Sequence, residues 1–223
     1  MKVDPAFREV MALHRHSPPK ARAQMVVRWL TCPFERLEKL VPRTGRILDL
    51  GCGHGLFSSY LAVCSKERTV VGVDIDDAKL AIAKRAAEPL GGRLSFRNDI
   101  SATLAEEKFT AVVMVDVLYL MTAQVQRDLL RRAAAAIEPG GSLLVKEMAA
   151  LPKWKFDWNR LQEVAAVKLL KITRGAGLHF VAADAQREWM VEAGLDLSDH
   201  PLDRGYLHPH HLLEGKKSQR YAD

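Results

Sequence analysis

Five apolar, strand-length runs precede position 146, separated by stretches of helical period, and this alternation restricts the chain to few folds. Arg46–Leu50, Thr69–Val73, Leu94–Arg97, Phe109–Val117 and Ser142–Val145 read as strands. Behind the first, Leu56, Phe57, Tyr60, Leu61 and Cys64 fall on one helical face. Asp77 stands as an N-cap before a helix carrying Leu80, Ala83 and Ala87. Val125, Leu129, Ala133 and Ile137 line another helix, ended by Pro139-Gly140-Gly141. Strands alternating with helices join by right-handed crossovers into a parallel sheet covered on both faces. With 48% hydrophobic residues in 223, the chain can bury one sizeable core. It has no uninterrupted apolar run of the roughly 18 to 20 residues that a membrane span needs, so a soluble, cytoplasmic protein without a transmembrane segment is expected. Its cysteines, Cys32, Cys52 and Cys64, show neither disulfide nor zinc-cluster spacing.

In open sheets of this type ligands bind beyond the carboxyl ends of the strands, where the strand order reverses. The stretch "ILDLGCGHG", Ile47 to Gly55, ends the first strand there and leads into a helix N-terminus. Gly51, Gly53 and Gly55 would let a nucleotide-like ligand approach the main chain. A dinucleotide fingerprint would place its third glycine at position 56, which is Leu56. The pattern is D-x-G-x-G-x-G, with Asp49 suited to a cationic ammonium group rather than a pyrophosphate. Asp74, 23 residues after Gly51, has the spacing of a carboxylate that accepts both ribose hydroxyls.

These segments resemble the class I S-adenosylmethionine-dependent methyltransferases. "LDLGCGHG" is similar to the family's first motif and "VGVDID" to its acidic second motif; "FRNDI", "MVDVLYLM" and "IEPGGSLLVKE" resemble the segments that follow, in order. The resemblance spans roughly Gly45 to Glu147. It implies a doubly wound, mostly parallel seven-stranded Rossmann-like α/β sheet, helices on both faces, and a helical cap. It also implies roles: Asp49 on the methionine amino group, with the backbone of Gly51, Cys52 and Gly53 against the amino acid and ribose; Asp74 on the ribose hydroxyls; Ile75 against the adenine. Asp99 would receive the adenine amino group, supported by Ile100, while Asp116, Val117 and Tyr119 would lie near the sulfonium and acceptor. Asp74 and Asp99 could alternatively serve as helix caps, and Asp76 as a turn residue. S-adenosyl-L-methionine would be the cofactor and S-adenosyl-L-homocysteine the product, with no metal. Candidates for a base are His54, Tyr119, His179 and Glu147.

Four segments are expected: a helical lid over 1–44, the cofactor-binding core over 45–149, a cap insertion over 150–182, and completion of the core over 183–223. Ser17-Pro18-Pro19 breaks the lid into two helical stretches, and Lys20 and Arg22 would reach the methionine carboxylate. The net charge of +6 is concentrated: residues 1–44 hold nine Lys or Arg against four acids, and residues 150–180 six against two. Such runs read either as solvated faces or as a surface for an acidic partner. The cap opens with Trp154, Phe156 and Trp158 among lysines, as core-facing residues or as a cover over an apolar acceptor. The resulting expectation is in-line methyl transfer to a small apolar or aromatic acceptor, lipid-like or borne by an acidic acyl carrier protein, with peripheral membrane contact open. The alternatives are an RNA- or protein-modifying methyltransferase and a noncatalytic binding module. The fourth-strand segment has neither a (D/N)-P-P-(Y/F) sequence nor a cysteine, which disfavours nucleic-acid acceptors.

Overall fold

The computed structural model of the protein describes residues 4–148, 181–202 and 210–219. The cap insertion, with its aromatic cluster and His179, lies outside the described residues apart from positions 181 and 182. Seven strands form one sheet: β1 Gly45–Leu50, β2 Arg68–Val73, β3 Leu94–Arg97, β4 Phe109–Val115, β5 Ile137–Met148, β6 Leu195–Pro201 and β7 His210–Lys217. Their order is β3-β2-β1-β4-β5-β7-β6. β1 to β5 pair in parallel, and β7 runs antiparallel to both β5 and β6. The described helices are α1 Pro5–Leu13, α2 Pro19–Thr31, α3 Phe34–Glu38, α4 Leu56–Cys64, α5 Asp77–Ala87, α6 Ile100–Glu106, α7 Ala123–Ala135 and α8 Ala183–Glu192.

Strand pleating sends successive side chains to opposite faces, so a strand covered on both faces must be apolar throughout. Ile47, Val70, Ala111 and Val113 pack into a layer with Phe57, Leu61 and Leu80. Their neighbours Leu48, Val71, Val112 and Met114 pack into a second layer with Leu129, Leu130 and Ala133. The first layer takes in the N-terminal segment as well. Phe7 stacks on Trp29 with ring centroids 4.2 Å apart, Trp29 meets Tyr60 edge-on at 4.9 Å, and Phe34 stacks on Phe57 at 5.0 Å. Residues of the expected lid thus share one core with the sheet.

A buried arginine fixes that junction. Arg68, at the start of β2, donates to Glu38 Oε1, Pro42 O and Val41 O, each at 2.7 Å, and to Leu61 O at 3.1 Å. Its side chain is wholly buried, so every donor it brings inside must find an acceptor, and the turn after α3 supplies most of them.

Three boundaries differ from the sequence reading. β4 stops at Val115 instead of running to Val117, because Asp116 adopts φ +53°, which breaks the extended chain. α7 ends at Ala135, and Ile137 joins the sheet opposite Phe109 rather than continuing the helical stripe. The pairing then shifts, resuming at Ala111 and Ser142, because Pro139-Gly140-Gly141 forms an irregular strand segment. The cap of α5 is Asp76, whose carboxylate accepts from Ala78 N and Lys79 N, so Asp77 is the first helical residue instead.

Candidate functional site

β2 and β3 lie on one side of β1, and β4 and β5 on the other, so the strand order reverses between β1 and β4. At the carboxyl ends of these strands the acids of the sequence motifs converge. Asp49, near the end of β1, is buried, and its Oδ2 accepts from Ser58 Oγ at 2.5 Å. Burial, with the charge of Asp74 adding to it, raises its carboxyl to about 6 despite the Ser58 bond. A buried carboxyl held up in this way is stabilised as an anion by any cation brought beside it.

The loop after β1 turns on Gly51, Gly53 and Gly55, with φ of +79°, +55° and +78°. Gly51 N and Cys52 N donate to Val73 O at 2.8 and 3.1 Å, which ties the loop to β2. The three glycines meet different surroundings. A Cβ on Gly51 would lie 2.4 Å from Val117 Cγ2, and one on Gly55 would lie 2.5 Å from Phe96 Cζ. At Gly53 the nearest atom would be Lys79 Cδ at 4.0 Å, so this position alone of the three opens onto space that a ligand could enter. Gly51 and Gly55 have packing reasons of their own within the protein.

Asp74 follows β2. Its Oδ2 accepts from Gly53 N at 2.7 Å and its Oδ1 from Asp76 N at 2.9 Å, which fixes the carboxylate beneath the loop. A carboxylate has about four acceptor positions, so both oxygens can still accept hydroxyl groups. Ile75, beside it, is 75% exposed, an apolar residue on the site's edge. Cys52 packs so near β2 that a Cβ on Gly72 would sit 3.0 Å from its Sγ, and burial pushes its thiol well up, so it is not a ready nucleophile. Asp99 is exposed and caps α6 through Ala102 N at 2.9 Å, with Ile100 half-buried next to it.

The β4 and β5 ends form a second polar cluster. Asp116 is clasped by Lys146 Nζ at 2.6 and 2.7 Å and by Arg28 Nη2 at 2.7 Å. Burial alone would raise the Asp116 carboxyl, but Lys146 and Arg28 hold it below the usual range. Glu147 Oε1 accepts from Val117 N at 3.1 Å and Leu118 N at 2.9 Å, anchoring the turn that carries Tyr119. Burial, reinforced by the Asp116 charge, pushes the Glu147 carboxyl up to about 8. Tyr119 is half-buried, near enough to Arg28 for their charges to interact. A carboxyl poised near neutrality has the properties of a proton acceptor.

His54 is half-buried in the glycine loop, and burial with Lys79 lowers its imidazole. His14, from the end of α1, is buried against the same loop; burial, then His54 and Arg22, bring it to about 4. Sequence reasoning missed His14, Ser58, Arg28 and Lys146. Lys146 carried the one available signal: a lysine inside the apolar run "SLLVKE" has to find a buried carboxylate if that run is a central strand. No helix among the described residues is long and apolar enough to cross a membrane.

Residues 47–141 match the family model described as a methyltransferase domain. A ubiquinone biosynthesis O-methyltransferase of Ruegeria pomeroyi is 29% identical, covering 87% of this chain and 84% of the relative. Among solved structures, the apo form of the S-adenosylmethionine-dependent methyltransferase SibL superimposes with a TM-score of 0.68 at 19% identity, over 96% of this chain and 70% of that one. Magnesium protoporphyrin IX methyltransferase from Synechocystis, with bound S-adenosylhomocysteine, gives 0.60 at 18%, over 98% and 90%.

Proposed function

Since the chain is a class I S-adenosylmethionine-dependent methyltransferase, we propose that it methylates an oxygen of a small apolar or aromatic acceptor bound at the β4 and β5 ends. The donor supplies an electrophilic methyl group on a sulfonium, so the protein's work is alignment, exclusion of water and removal of the acceptor's proton.

Asp49 is the residue we assign to the donor's ammonium group: it is a buried carboxyl held near 6, and a cation beside it restores its charge. The main chain at Gly53, which lacks a side chain and faces open space, would lie along the donor, with Cys52 as backbone neighbour. Asp74 would accept the ribose hydroxyls, and exposed Ile75 would lie under the adenine. Asp99 and Ile100 would flank the far side of the ring, with the Asp99 oxygen not engaged by Ala102 left for its amino group. Gly51 and Gly55 would act indirectly, by letting Val117 and Phe96 close against the loop.

The observation that carries the acceptor assignment is the Glu147 carboxyl, half-buried, fixed by two backbone N–H groups and raised to about 8. In its ionised form it would take the acceptor's hydroxyl proton, with Tyr119 and Val117 lining the same turn. The O-methyltransferase relative supports oxygen as the methylated atom. Because the base must be ionised, kcat should rise with pH and level off above about 8. Glu147→Gln should lower kcat by about 10² to 10⁴ and flatten that rise. Methyl transfer from labelled donor into a bacterial lysate, divided among organic-extractable, carrier-protein, RNA and bulk-protein pools, tests the acceptor class. Label in RNA or bulk protein would replace this reading with the macromolecular one. Delivery on an acidic carrier is a second form of the reading, favoured by Val26, Val27 and Leu30, exposed on α2 beside basic Lys20 and Arg22. Absence of binding to such a carrier at low ionic strength would remove it.

A further inference from the structure

Asp116 is the one non-glycine residue with positive φ among the described residues, at +53°. A backbone held there is strained unless its surroundings over-determine it, and two residues of β5 supply most of that constraint. Lys146 O accepts from Asp116 N at 2.8 Å, and Lys146 Nζ closes on the same residue's carboxylate at 2.6 and 2.7 Å. Glu147 Oε1 then takes the next two N–H groups, those of Val117 and Leu118. Successive amides after β4 are thus bound by successive residues of β5. Arg28 Nη2 adds a contact to Asp116 at 2.7 Å from a side chain that is 40% exposed, whereas Lys146 is wholly buried. A buried ion pair gives little more stability than apolar residues of the same volume, so stability alone does not account for a lysine inside β5.

The turn that this clasp shapes bears on the glycine loop. Val117, the residue after Asp116, fills the space in which Gly51 would carry a Cβ, its Cγ2 lying 2.4 Å from that position. On the β2 side, Gly51 N and Cys52 N donate to Val73 O, so the loop is held between β2 and the turn after β4. We propose that Lys146 is a positioning residue for the donor: by keeping Asp116 left-handed, it holds Val117 against Gly51 and keeps the glycine loop in the shape that receives the donor. This rests on the assignment of the glycine loop to the donor and adds the residue that pre-forms it, whichever atom of the acceptor is methylated. If the turn relaxed, only the fraction of molecules with the loop in place would bind, and affinity would fall in proportion.

The test separates the ions from the backbone they hold. In the full chain, Lys146→Met is combined with Asp116→Gly or with Asp116→Ala, so both double variants lose the ion pair but only glycine adopts positive φ freely. Calorimetry with S-adenosylhomocysteine should give the glycine variant the wild-type affinity within about threefold and the alanine variant about tenfold weaker binding, the population cost of a disfavoured left-handed residue. A purely structural role would lower the urea midpoint of both without separating their affinities. Equal affinities in the two double variants, whether near wild type or both weakened, overturn the proposal. Val117→Ala, which shortens the contact on Gly51 and leaves the ions in place, should by itself weaken binding by about threefold or more, and should cost nothing further in the alanine double variant. This single variant also decides the matter if the alanine form does not fold: unchanged affinity would remove the route through Gly51 and the proposal with it. A wild-type chain that binds no S-adenosylhomocysteine would instead remove the assignment of the loop to the donor, on which the proposal stands.

Discussion

A methyl group added at Gly51 would strike Val117 Cγ2 at 2.4 Å, whereas one added at Gly53 would find nothing nearer than Lys79 Cδ at 4.0 Å. Both residues have positive φ, so alanine costs backbone energy at either, but packing is disrupted only at Gly51. Gly51→Ala should therefore destabilise the protein by about 3 kcal/mol in urea unfolding. Gly53→Ala should cost only about 1 kcal/mol of stability and show its main effect as weaker S-adenosylhomocysteine binding by calorimetry. Asp49 gives a pH signature. Its carboxyl is raised to about 6, so in the free protein it stabilises the fold below the ordinary carboxylate range and loses that contribution as pH rises through 6. Binding of an ammonium group requires the anion. Affinity for S-adenosylhomocysteine should thus rise through pH 6 to a plateau, and Asp49→Asn should remove the step and about 1.5 to 3 kcal/mol of binding. Asp49, Asp74 and the glycines were legible in the sequence because one strand, one loop and one spacing define them. The clasp of Asp116 by Lys146 and Arg28 was not, since its members come from β5 and α2 and meet only once the sheet and the N-terminal layer are assembled.

At the scale of elements, Arg68 joins the entry of β2 to the turn after α3 from a buried position. Replacing it with methionine keeps the length but leaves Glu38 as a buried, poorly paired carboxyl and takes a donor from the carbonyls of Val41, Pro42 and Leu61. A loss of about 3 to 5 kcal/mol is expected, readable as a lowered melting midpoint, and Glu38→Gln in the same chain should recover part of it. The strands were legible as apolar runs because burial on both faces leaves no polar alternation to blur them. Their ends were less so. Whether β4 includes Asp116 depends on a left-handed backbone set by the two cations and the Glu147 turn, and Asp76 and Asp77 are equally good caps until α5 is placed against β3. The break at Ser17-Pro18-Pro19 was legible because proline both ends one helix and opens the next.

For the whole molecule, the stack of Phe7, Trp29, Tyr60, Phe34 and Phe57 makes the N-terminal layer part of the sheet's own core. The two should unfold together: Trp29 fluorescence and far-ultraviolet circular dichroism should trace coincident denaturant transitions, with Trp154, Trp158 and Trp189 replaced by phenylalanine to isolate the signal. An earlier loss of fluorescence would mean a separately folding lid. A mostly parallel seven-stranded sheet was expected from the family resemblance, yet no sequence pattern distinguishes β7 as the strand that sits between β5 and β6. That placement has a kinetic consequence. β6 emerges during synthesis before the strand that connects it to the sheet, so until β7 inserts, β5 and β6 each present an open hydrogen-bonding edge. Insertion of a strand between two waiting edges is a slow, non-local step. The interval before it is when the nascent chain is most exposed to pairing with a neighbour and to chaperone capture.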